Sequence, residues 1–124
     1  MGWDKDPAAF GDVVRTDAEQ LQKKVVLMLM RRIIYRTPVD TGRARGNWLV
    51  KHNTPSTRVL KTADKSGLKS MARAERVNPK LGGIIWISNN LDYIMYLEDG
   101  TDKFAPFAMV AGAVQSVRAK MRSI

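Results

Sequence analysis

The order of helical and strand patterns predicts an α+β fold: a small antiparallel sheet packed by a long N-terminal helix and a C-terminal helix. Three observations predict it. An apolar stripe at helical spacing runs from Leu21 to Arg36, strand-like runs lie at Trp48–His52 and Ile84–Ile87, and a second helical stripe closes the chain. With 124 residues, the chain has material for one domain, 1–124. Such a domain buries roughly two-thirds of its unfolded surface, enough for one modest core. No internal repeat is visible.

Asp6-Pro7 can cap and open a helix, because proline is tolerated at the first helical position. Thr16-Asp-Ala-Glu19 is a capping box and predicts a stronger start. From there Leu21, Val25, Met28, Leu29, Arg32, Ile33 and Arg36 trace one helical face, which Thr37-Pro38 must end. Val25–Met30 is apolar on every side, so the helix needs cover on more than one face. The sheet is expected to cover one face and a neighbouring subunit the other. Val26, Met28, Met30, Val114 and Met121 are therefore candidates for a subunit interface.

Val39-Asp-Thr-Gly42 reads as a turn, and Trp48, Val50 and His52 alternate as a short strand. Asn53–Asp64 is polar and contains Pro55, hence a loop. Ser66–Val77 is a weakly amphipathic helix closed by Asn78-Pro79. Gly82-Gly83 then opens Ile84–Ile87, a strand apolar enough to be buried on both faces. The stretch around Leu91, Tyr93, Ile94 and Leu97 fits a helical turn or an edge strand, the helical turn being favoured, and Asp99-Gly100 is a turn. Pro106 begins a last helix with the stripe Val110, Val114, Val117, Met121 and Ile124. Arg118, Lys120 and Arg122 sit in its final turns, where cations complement the helix dipole.

The formal net charge is +9, and it is concentrated. Residues 41–80 hold ten basic against two acidic side chains, whereas the first 40 and last 44 residues each sum to near neutrality. The excursion between the strands, about 53–82, therefore carries the electrostatics. Arg58, Lys61, Lys65, Lys69, Arg73 and Arg76 are its candidate contacts to a polyanion or an acidic protein surface. Aromatic residues are absent between Lys51 and Lys80, which removes a stacking platform for single strands. No major-groove reading motif is legible either, leaving non-specific contact as the nucleic-acid reading.

Several chemistries are excluded or weak. Without cysteine there is no disulfide framework, thiolate metal site or cysteine nucleophile. The single histidine, His52, has no legible catalytic partner and reads as a polar residue on a half-buried strand. Glu98, Asp99 and Asp102 do not match a calcium-loop spacing. No metal or cofactor is expected. The longest apolar run, Val25–Met30, is six residues, too short for a membrane span. No apolar signal core follows Met1, so a soluble protein made in a cytoplasm is expected, with no membrane partner. Asp40-Thr41-Gly42 spells the tripeptide of aspartic proteases, and a dimeric protease would suit the chain length. Yet Arg43 and Arg45 place positive charge beside Asp40, against proton sharing between carboxylates, and the ordinary reading is a turn.

Thr37-Pro-Val-Asp-Thr-Gly-Arg43 followed by Asn47-Trp48 resembles the first signature of small tail-component proteins of tailed bacteriophages. Ile87-Ser-Asn-Asn-Leu91, Tyr93, Leu97-Glu98, Gly100-Thr101, Ala105-Pro106 and Met109-Val110 resemble the family's second block, in the same order. Lys65-Ser66-Gly67 is also similar. The departures are Asp92, where proline is common, and Asp102-Lys103-Phe104, where Ser and Gln are usual. The resemblance implies a structural virion protein without enzymatic activity. It would form a neck or tail-completion ring, a hexamer or dodecamer, between the portal and connector of the head and the tail. Its partners would be neighbouring connector and tail proteins, with non-specific contact to genomic DNA in the channel. A tail-terminator ring at the head-proximal tail end is an alternative within the same fold. A free nucleic-acid-binding module and the dimeric protease are alternatives outside it.

Overall fold

The computed structural model describes residues 7–122, with side-chain surroundings from Asp17 onward. Its elements are α1 (Pro7–Arg36), α2 (Arg43–Gly46), β1 (Leu49–His52), α3 (Leu68–Glu75), β2 (Ile85–Ser88), α4 (Ile94–Asp99) and α5 (Met109–Arg122). β1 and β2 pair antiparallel, with Val50 opposite Ile87 and Lys51 opposite Trp86. The α+β class holds, with the long N-terminal and the C-terminal helix packed together.

α1 is 30 residues long, about 45 Å at the α-helical rise. It runs straight through Thr16–Glu19, so the capping box there does not start the helix. A capping box acts only where the preceding chain leaves helical geometry, and the stretch after Pro7 is compatible with helix. The Asp6 cap lies outside the described residues. The stop is as the sequence dictates. Thr37 N–H donates to Ile33 O and Ile34 O, and its hydroxyl donates to Ile33 O at 2.7 Å, just before Pro38.

The core gathers Met30, Ile33 and Ile34 of α1, Trp48, Leu91, Ile94, Met109 and Ala113. Met30, Met109 and Ala113 are completely buried. Burying a methionine side chain fully contributes about 2 kcal/mol. α1 packs along α5 and also on α3. Helices of the same chain thus cover α1 beside the sheet, whose Val50 and Ile87 pack on the same core.

Two expectations are corrected by packing. The strand is not buried on both faces: Trp86 of β2 and Ile84 just before it are exposed, because a two-stranded sheet has only one face on this core. α5 begins at Met109 rather than Pro106, and its buried face is Met109, Ala113 and Val117. Val110 and Met121 of the expected apolar stripe are exposed, and Ile124 lies outside the described residues. The late start has a local cause. Phe107 N–H donates to Leu97 O and Ala108 N–H to Glu98 O, and Ala108 sits at φ +47°, outside helical geometry.

Candidate interaction surfaces

The residues of the turn after α1 and of the run after β2 converge on one hydrogen-bonded frame. Trp48 Nε1 donates to Thr37 Oγ1 at 2.9 Å, both side chains being buried. Asn47 is fully buried and works as a bracket. Its Nδ2 donates to Arg43 O and Leu60 O, and its Oδ1 accepts from Leu60 N–H at 2.6 Å. Asn89 Nδ2 donates to Ala44 O, and Asn90 Nδ2 donates to Ser56 O and Arg58 O. Arg45 spreads its guanidinium over the carbonyls of Thr37, Lys65 and Tyr35.

Gly42 explains why this turn needs glycine. It sits at φ +83°, and a Cβ there would lie 2.7 Å from Lys65 N and 2.9 Å from Asp64 N. Its carbonyl accepts from Asp64 N–H, drawing the long inter-strand segment onto the turn. Asp64 is itself buried and accepts from Ser70 N–H at 2.9 Å and Ser70 Oγ at 3.0 Å. Burial raises the pKa of its carboxyl, but hydrogen bonds from Ser70 and the Lys69 and Gly67 amides outweigh that and hold it below the ordinary value. A carboxylate at the start of α3 also suits the helix dipole. Glu98 does the same for α5, its two oxygens accepting from Val110 and Ala111 N–H.

The inter-strand segment is therefore not a free projection. Asn47, Asn90 and Gly42 staple residues 56–64 to the body, and Ser70 Oγ donates to Arg45 O. Of the six candidate contacts, Arg58, Lys61, Lys65, Lys69 and Arg76 are exposed. Arg73 is turned inward instead. Its Nη2 donates to Gly46 O at 2.7 Å and Ser70 Oγ at 3.1 Å, which makes it a clamp between α3 and α2. Sequence charge alone does not separate a clamp from a contact residue.

The five interface candidates also divide. Val26 and Met30 are buried inside the chain's own core, and Val114 is half-buried. Met28 and Met121 meet across a groove between α1 and α5, formed by hollows of about 420 and 580 Å³ that share Met28, Arg31 and Lys120. Residues 21–36 hold five basic and no acidic side chains, and α5 holds three basic and none acidic. The groove is therefore a second basic surface. Summing charge over thirds of the chain hid it, because acidic residues before Leu21 and between Asp92 and Asp102 cancel it. A helix-by-helix count would have found it.

Asp40 is exposed on a turn preceded by α1 rather than by a strand. His52 lies half-buried on β1 with Nε2 lacking a hydrogen-bond partner, and a Cβ on Gly83 would collide with its ring. Among the described residues no group of three or more His, Cys, Asp or Glu side chains could hold a metal ion. No described helix is long and apolar enough to cross a membrane. No protein-family model, no curated protein and no solved structure matches the chain.

Proposed function

We propose that this chain is a structural, non-enzymatic virion protein of a tailed bacteriophage, a neck or tail-completion protein that assembles as a ring. The supporting observation is the convergence of the two motif blocks. Thr37, Gly42, Asn47 and Trp48 from the first, and Asn89, Asn90 and Glu98 from the second, each hold backbone or one another. A motif whose members brace a frame is what a structural protein needs, since nothing in the frame has to react. The exposed cations Arg58, Lys61, Lys65, Lys69 and Arg76 then offer a contact to channel DNA or to an acidic neighbour.

Genetic complementation tests the proposal. Deleting the gene from the phage that carries it should leave filled or leaking heads and separate tails in electron micrographs, and the wild-type copy should restore joined particles. A copy with Lys61→Glu, Lys65→Glu and Lys69→Glu should restore few. Normal infectious particles without the gene overturn the proposal. The exposed cations also favour a second reading, a free nucleic-acid-binding module. It predicts a DNA mobility shift by the purified protein that falls steeply with salt.

A further inference from the structure

Two exposed surfaces of this molecule are complementary. The first is the α1/α5 groove, where Leu21, Met28 and Met121 are apolar and Lys24, Arg31 and Arg32 are basic. Leu21 is 58% exposed and Met121 46%, so apolar surface lies open between cations. Among the described residues, the side chains of Lys24, Arg31 and Arg32 have no ion-pair or hydrogen-bond partner. The second surface lies around α4 and the loop after it. Met95, Tyr96 and Phe104 are exposed there, and Phe104 leans on Phe107 with ring centroids 5.7 Å apart. Asp92, Asp99 and Asp102 are exposed beside them. Residues 91–107 hold four carboxylates and one lysine.

The groove runs along α5 from Arg36, which donates to Ala108 O, to Met121, whereas the α4 surface adjoins the start of the helix. Glu98 and Leu97 bond to the residues that begin the helix, whereas Met121 lies near its last turn. At fourteen residues the helix places the Met121 end of the groove about 20 Å from the start of α5. We infer that the α4 surface of one copy seats in the α1/α5 groove of the next, its exposed Met95, Tyr96 and Phe104 against Leu21, Met28 and Met121, and its aspartates against Lys24, Arg31 and Arg32. The occupant of the groove is a second copy of this chain. Two different patches in contact make a heterologous interface, which propagates and closes as a ring when the rotation permits. Clustered exposed apolar residues mark such contacts, and the opposed charges orient them. A phosphate backbone would match the cations but leave the apolar groove uncovered.

The inference names the self-contact for the proposed ring and rests on that part of the reading. It is tested on purified protein, separately from particle assembly. Sedimentation velocity up to about 100 µM should show self-association that weakens with added salt. A groove variant, Lys24→Glu with Arg31→Glu, and a patch variant, Asp99→Lys with Asp102→Lys, should each stay monomeric. Mixed together, they should associate again, because the intact patch of one fits the intact groove of the other and the two reversed surfaces are complementary as well. Leu21→Ser with Met121→Ser should weaken association at least about tenfold without altering charge. All these positions are exposed, and circular dichroism checks folding. A monomeric wild type, assembly indifferent to the variants, or a mixture that fails to associate overturns the inference. A defective particle with monomeric protein would leave the virion role standing on other partners.

Discussion

The Asn47 frame and the α1/α5 groove use the same residue types in opposite ways. In the frame, Arg45 and Arg73 donate to carbonyls of Thr37, Lys65 and Gly46, and apolar Trp48 is sealed behind Thr37. In the groove, Arg36 at one end donates to Ala108 O, but the Arg31 and Arg32 side chains donate to no described residue, and Leu21 and Met121 stay open. A buried polar group must be partnered, so the frame is tightly determined and sensitive to change. An exposed cation beside apolar surface has water as its partner and can exchange it for another molecule at little cost. The frame therefore stabilises this chain, and the groove is available to a neighbour.

The largest expected effect breaks the frame. Asn47→Leu keeps the branched shape, with somewhat more bulk, but leaves Leu60 N–H and the carbonyls of Arg43 and Leu60 without the bracket. It should cost about 3 kcal/mol of unfolding free energy by urea denaturation. Asp64 comes next, with Asp64→Asn expected to cost about 2 kcal/mol at neutral pH. Because its folded pKa lies below the ordinary 3.8, Asp64 contributes stability above that value. The contribution is lost as pH falls through the folded value. The gap between wild type and Asp64→Asn should therefore be constant near neutrality and close below about pH 4. The smallest effect sharpens the contrast from the other side. Lys24→Glu with Arg31→Glu should leave monomer stability within about 0.5 kcal/mol of wild type, measured at a dilution where no assembly occurs.

Much of the fold was legible because its signals are local. Thr37-Pro38 ended α1, Gly42 formed the turn, the alternation after Trp48 became β1, and Asp99-Gly100 closed α4. Gly100 sits at φ +80°, the geometry that glycine adopts without strain. Less legible were features that depend on a distant partner. The α5 stripe was read one position off at its start, since the buried face of a helix is chosen by what packs on it. The exposed face of β2 followed from the sheet having only two strands. Among the candidate residues, Arg58, Lys61, Lys65, Lys69 and Arg76 lie on the surface, whereas Arg73, Val26 and Met30 are drawn inward.

By itself the sequence determined where helices and turns must stop, which segments carry charge, and that the chain has material for one α+β core. Those are consequences of dihedral preference, periodicity and composition, all read within a few residues. Only the tertiary structure decided which polar groups are partnered and which stay exposed. It tied the basic inter-strand segment to the body through Asn47 and Asn90, and it set the basic second half of α1 along basic α5, with the carboxylates of 92–102 by the start of α5. Hydrogen bonding and charge are settled by distance in space, and residues that are distant along the chain become neighbours only once it folds.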